Sequence, residues 1–136
     1  MKGAEKITDN GNLLAIIVRK DFSSEGYNFF SEENFPMQMG INFYKKGSVA
    51  RPHVHLRRKI EITEVQEIFR VEKGRVMANL YTEEGKKFES VELGEGDIIF
   101  FVSGGHGFDM LEDTKLLEIK QGPYIGKDND KIMIDE

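Results

Sequence analysis

Cysteine is absent from the 136 residues, histidine occurs only three times, and no apolar stretch is long. Without cysteine, disulfides and every thiolate metal site are excluded. The longest apolar runs, LLAIIV (13–18) and IIFFV (98–102), fall far short of the about 18 residues that a membrane helix needs. Positive charge is not in excess either. The formal net charge is −5, so no overall field draws the chain to nucleic acid or to an anionic membrane. The first residues lack the charged start, apolar middle and small-residue cleavage site of a secretory signal. The expectation is therefore a cytoplasmic protein with neither nucleic acid nor membrane as partner. No phosphate-cradling glycine loop is present, and no histidine is left over for a Ser/His/Asp triad.

With 39% hydrophobic and 32% charged residues, the composition is that of a globular chain long enough to bury a core. Nowhere does an i, i+3, i+4 pattern persist for three turns. Residues 1–12 read as a loose lead-in, and LLAIIV as a strand at a sheet edge or against a second subunit. The stretch 21–36 reads as a loop or single helical turn. From Met37 the chain alternates: Met37, Met39, Ile41 and Phe43 share one face of a half-buried strand. After the turn KKGS (45–48), Val65, Phe69 and Val71 alternate again. A turn at EKG (72–74), a hairpin tip at EEGK (83–86), and breaks at Gly94 and Gly96 separate further short strands, with TKLLEIK (114–120) as another. Short strands between closely spaced turns imply an all-β barrel or sandwich in a single domain, 1–136. The tail KDNDKIMIDE (127–136) keeps Ile132, Met133 and Ile134, so its end is expected to dock on the barrel or on a partner.

The polar residues that stand out are few. His53 and His55 lie one residue apart, so in an extended strand both project from one face, about 7 Å apart along the backbone. Glu67 shares parity with Val65, Phe69 and Val71. A carboxylate on a core face must stay protonated or find a cation. His106, in the glycine-rich bend GGHG, shares parity with Phe108 and Met110. Each residue alone has a plainer reading, as a hydrogen-bonded core histidine or a solvent-facing acid. All three histidines fall at interpretable places, however, and imidazoles with a carboxylate suit a first-row transition ion. The expectation is one divalent metal held by His53, His55, Glu67 and His106. Glu61 and Glu64 lie between His55 and Glu67, and Glu61 has Glu67's parity, so Glu61 stays open as a rival ligand.

The segment 47–74 resembles the first cupin motif, G-x5-H-x-H-x(3,4)-E-x6-G, through Gly47, His53, His55, Glu67 and Gly74. The stretch 94–110 resembles the second, G-x5-P-x-G-x2-H-x3-N, through Gly96, Gly104 and His106. The chain departs from the pattern in several places. Eleven residues separate His55 from Glu67, Val102 stands in the proline's place, the gap before His106 is one residue short, and Met110 replaces the asparagine. The six-residue spacing to Gly74 favours Glu67 over Glu61.

The resemblance implies a single-domain jelly-roll β-barrel of short antiparallel strands and a His/His/Glu/His metal site. Iron, manganese or nickel fit such a site better than zinc, and calcium fits poorly with imidazole donors. It further implies a homodimer and a small oxygen-rich ligand, a sugar derivative or organic acid that chelates the metal. The protein would then be an isomerase, epimerase or dioxygenase, or else a non-catalytic sugar-binding or sensing module. Arg51, Arg57 with the adjacent Arg58 and Lys59, Lys120, Gln121 and Tyr124 are the candidates for fixing such a ligand. For the basic run and for Lys120, a solvated surface position is the plainer alternative.

Overall fold

The structure is a computed structural model that describes residues 3–135. Ten strands and one helical turn make up its regular elements: β1 (Ala4–Asp9), β2 (Asn12–Val18), β3 (Gly26–Phe29), β4 (Gly40–Phe43), β5 (Glu67–Lys73), β6 (Arg75–Tyr81), β7 (Lys87–Gly94), β8 (Ile98–Phe101), β9 (Gly105–Met110), β10 (Lys115–Lys120) and α1 (Lys127–Asp130). The fold is all-β, and every strand pair is antiparallel. The strands form a five-stranded sheet, β1-β2-β8-β5-β10, a three-stranded sheet, β7-β6-β9, and the hairpin β3-β4. None of these sheets closes on itself among the described residues.

Strand periodicity explains the two cores. Ala15, Ile17, Phe69, Val71, Ile99 and Phe101 share one cluster with Val76, Ala78, Leu80 and Leu93 of the three-stranded sheet. The residues between them on the five-stranded sheet, Ile16, Val18 and Phe100, form a second cluster with Phe22, Phe30 and Met39 from segment 22–39. Strands β2 and β8 are thus covered on both faces, which is why their sequences run apolar without alternation.

Several local expectations are corrected here. LLAIIV is not at an edge, because β2 lies between β1 and β8, where both of its ladders are paired within the chain. The lead-in is not loose: Ala4–Asp9 pairs with β2 across its length, although residues 1 and 2 lie outside the described part. Segment 21–36 contains strand β3, which pairs with β4 from Gly26↔Phe43 to Phe29↔Gly40. The strand expected from Met37 begins only at Gly40, with Met39 buried and Phe43 45% exposed. Val65 does not share the inward face of Phe69. It is 55% exposed, while its neighbour Gln66 is 1% exposed, since β5 begins only at Glu67. The glycine-rich bend is confined to Ser103–Gly104, and His106 belongs to β9.

No helix among the described residues is long and apolar enough to cross a membrane.

Candidate metal and ligand site

Glu67 opens β5 with its side chain on the Phe69 and Val71 face. Its cross-strand neighbours are Phe101 on β8 and Lys120 on β10. His106 comes from the other sheet, paired with Leu80 of β6, and points into the space between the sheets. Its Nε2 lies 3.6 Å from Glu67 Oε1, with the two side chains 24% and 18% exposed. The imidazole stacks on Phe101 with centroids 3.8 Å apart and planes 3° apart. Phe69 and Phe108 close round it edge-on. One side of the Glu67–His106 pair is therefore aromatic.

Burial pushes the Glu67 carboxyl up to about 7, helped by a hydrogen bond with Glu118 and that group's negative charge, and opposed by Lys120 and Lys131. Burial also pushes His106 down to about 4, helped by the Lys131 charge and opposed by Glu118. At neutral pH the imidazole is uncharged and has a lone pair to donate, while burial and the neighbouring Glu118 hold the Glu67 carboxyl partly protonated. Both states suit a cation, which would accept the lone pair and replace the proton. Glu67 and His106 thus fit two positions of a metal's donor set.

The other two expected ligands lie apart from this pair. Residues 50–66 form no helix or strand, and all but Gln66 are exposed. His53 and His55 pack edge to face with centroids 5.0 Å apart, and His53 Nδ1 lies 2.9 Å from Arg51 O. Among the described residues, no three His, Cys, Asp or Glu side chains are placed to hold a metal. The structure brings Glu67 and His106 together and leaves His53 and His55 as a separate pair on the surface. Glu61 is also on the surface, 3.6 Å from Lys59 with both side chains at least 80% exposed, so Glu67 is the acid that faces His106.

The ligand-binding candidates separate in the same way. Arg51 and Arg57 are exposed on segment 50–66, and Tyr124 is 78% exposed beyond β10. Gln121 faces inward as a strut, its Oε1 accepting the Gln66 backbone N–H at 2.9 Å. Lys120 is at the site. It is Glu67's neighbour in register, and its Nζ donates to Asp130 Oδ2 at 3.1 Å. The tail meets its own chain through Asp130 on Lys120 and through Ile134, so close to Gly105 that a β-carbon there would lie 2.6 Å from its Cδ1, while Ile132 and Met133 stay 94% and 57% exposed.

Sequence reasoning missed Glu118, Asp130 and Lys131. Glu118 was within reach, since it alternates with Leu116 and Lys120 on KLLEIK and so shares their face. Asp130 and Lys131 carry no such signal, because only the docking of the tail places them here. Comparison of the chain with protein-family models, with curated proteins and with solved structures finds no match.

Proposed function

We propose that the protein is a small cupin-type metalloprotein that holds one divalent transition ion through His53, His55, Glu67 and His106 and acts on a small oxygen-rich molecule. The observation that carries this reading is the Glu67–His106 pair: an acid and a neutral imidazole 3.6 Å apart, largely shielded from solvent and lying against Phe101, with no lysine or arginine in ion-pair contact with the acid among the described residues. A bound divalent ion would supply a Lewis acid with open positions for vicinal oxygens of a sugar derivative or organic acid.

The missing half of the ligand set has a physical route to this pair. Strand β9 pairs with β6 on one side and with no described strand on the other. Segment 53–62 alternates as a strand would: Val54, Leu56, Ile60 and Ile62 have one parity, His53 and His55 the other. All four apolar residues are exposed, from 42% at Ile62 to 91% at Val54. Addition of this segment to the free edge of β9 with His53 and His55 on the inner face would bring the histidines beside His106 and extend the open sheets toward a jelly-roll barrel, with Val54, Leu56, Ile60 and Ile62 on the outer face. Within the site, Phe101 stacks on the imidazole, and Glu118, Lys120 and Lys131 set the charge around Glu67.

The test is metal content after purification without chelator, followed by titration with manganese and iron(II). Wild-type protein should take up about one equivalent, and Glu67→Gln, His106→Gln and the double variant His53→Ala/His55→Ala should each lose it. Amide exchange over 53–62 should slow when metal is added. Equal uptake by all three variants, or none by the wild type, would end the metal reading. Turnover of sugars or organic acids by the loaded protein selects the enzyme; saturable binding without turnover selects the sensing module.

A further inference from the structure

The hairpin of β3 and β4 presents its two faces to different surroundings. Ile41 turns inward onto the second core cluster, and Asn28 opposite it shares that face. Tyr27 and Phe29 on β3, and Tyr44 just past β4, have the other parity and are 71%, 57% and 53% exposed. Tyr27 and Tyr44 meet edge to face with centroids 5.8 Å apart. Phe29 faces Gly40 across the ladder and leans over it, with Cδ1 and Cε1 3.0 and 3.1 Å from where a β-carbon of Gly40 would stand. Three aromatic rings thus share one open sheet face. The chain that leaves this face is basic. Residues 45–59 hold six of the nineteen lysines and arginines, Lys45, Lys46, Arg51, Arg57, Arg58 and Lys59, and none of the twenty-four acids. Every residue from 42 to 65 is exposed. Lys59 reaches Glu61 at 3.6 Å, and the other five cations have no ion pair among the described residues. The overall charge of −5 is therefore reversed locally in the chain that follows the rings.

We propose that the outer face of the β3–β4 hairpin binds single-stranded nucleic acid, with Tyr27, Phe29 and Tyr44 stacking bases and the cations of 45–59 meeting phosphates. Aromatic rings on a sheet face and a run of positive charge beside them are the two parts that such binding uses. Tyr27 and Phe29 stand about 7 Å apart along β3, which gives each room for its own base. Other occupants fit the observations less well. A second copy docked through the same patch would set six cations against six like charges. A lipid surface takes apolar side chains that reach down into it, whereas Phe29 is laid across the sheet over Gly40. A neutral glycan would stack on the rings and leave the cations unused. The rings lie outside the Glu67–His106 pair, so this binding does not depend on the metal.

Fluorescence anisotropy of the full chain in chelator tests this with labelled oligo(dT) and oligo(U). Inorganic polyphosphate supplies charge without bases, and phosphatidylcholine vesicles containing phosphatidylserine supply an anionic lipid surface. The wild type should bind at least one oligonucleotide, and its preference tells DNA from RNA. Polyphosphate should bind at least about tenfold more weakly. Phe29→Ala and Phe29→Leu should each weaken the oligonucleotide by about tenfold, the loss of one stacked base. Leucine keeps an apolar cover over Gly40, so its loss reports the ring face rather than the packing of the hairpin. Phe88→Ala, which removes an exposed ring from β7, should change nothing. The triple variant Arg57→Gln/Arg58→Gln/Lys59→Gln should reduce the slope of log affinity against log salt by about 2. No oligonucleotide binding, equal affinity for polyphosphate, or full affinity in both Phe29 variants would overturn the proposal. Binding to the vesicles in place of the oligonucleotides would overturn it in favour of a membrane.

Discussion

The imidazole of His106 lies flat on the ring of Phe101, 3.8 Å between centroids and 3° between planes. Phe101 is also the cross-strand neighbour of Glu67. A single buried ring, 3% exposed, thus sets the distance between the two groups of the candidate site. Phe101→Ala removes the stacking surface and leaves a cavity at the centre of the larger core. It should cost about 3–5 kcal/mol of stability, read from the urea midpoint. A loss under about 1 kcal/mol would mean that the surrounding side chains collapse into the space and that the ring is not the support described.

The two groups should pull stability in opposite directions with pH. Glu67 is raised from 4.5 to about 7, so the folded state prefers its protonated form. That contribution is full below 4.5 and is lost as pH rises through about 7. His106 is lowered from 6.5 to about 4, so the folded state prefers the neutral ring. Its contribution is full above 6.5 and is lost as pH falls through about 4. In metal-free protein the two slopes offset each other between 4.5 and 6.5. His106→Asn should therefore leave stability that falls as pH rises across this window, and Glu67→Gln stability that rises. Urea midpoints in chelator between pH 4 and pH 8 measure both slopes. Variants that keep the wild-type profile would show that neither group titrates in this way.

The strand framework was legible because burial on alternate faces writes itself into the sequence. Phe69 and Val71 against Arg70, and the unbroken runs of β2 and β8, could be read as such. β1 was not legible, since in AEKITD only Ile7 is buried and the strand is held by its ladder with β2 rather than by apolar side chains. Glu67 and His106 could be found by parity, even though Val65 belongs to the irregular stretch before β5. The electrostatic effect of Lys131 on them could not, because only the fold of the tail brings its charge within reach. The glycines of the motif-like segments have a plain conformational reason. Gly47, Gly74, Gly96 and Gly104 all have φ between 75° and 93°, a region that costs other residues strain.

Gln66 and Gln121 form a buried polar contact where one amide is needed and part of the other is superfluous. Gln121 Oε1 accepts the Gln66 backbone N–H at 2.9 Å, across the continuation of the β5–β10 ladder. Gln121→Ala strips that N–H of its acceptor beneath the surface and should cost about 1–3 kcal/mol. The Gln66 side chain, 1% exposed, has an Oε1 without a hydrogen-bond partner. Gln66→Met keeps much of its volume and removes the unsatisfied oxygen, so it should change stability by less than about 1.5 kcal/mol. Chemical denaturation of the two variants compares them directly. A larger loss for Gln66→Met than for Gln121→Ala would reverse the assignment.

Two glycines flanking the His106 site should respond oppositely to the same substitution. Gly104 has φ +75, and a β-carbon there would collide with the backbone oxygen of Tyr81 and come within 3.1 Å of Leu14 Cδ2. Gly104→Ala must therefore either strain the backbone or move the start of β9, which carries His106 two residues on. The strained conformation alone costs about 1–3 kcal/mol. Gly107, one residue past His106 on the same strand, has no positive φ, and a β-carbon there would meet nothing within 4 Å. Gly107→Ala should be neutral or stabilise by about 0.4–1 kcal/mol, since it restricts only the unfolded chain. Thermal melts of both variants give the comparison. Metal titration of Gly104→Ala then asks whether a shift of β9 reaches the ligand pair: weaker uptake with a folded spectrum would place His106 among the donors, whereas unchanged uptake would remove it.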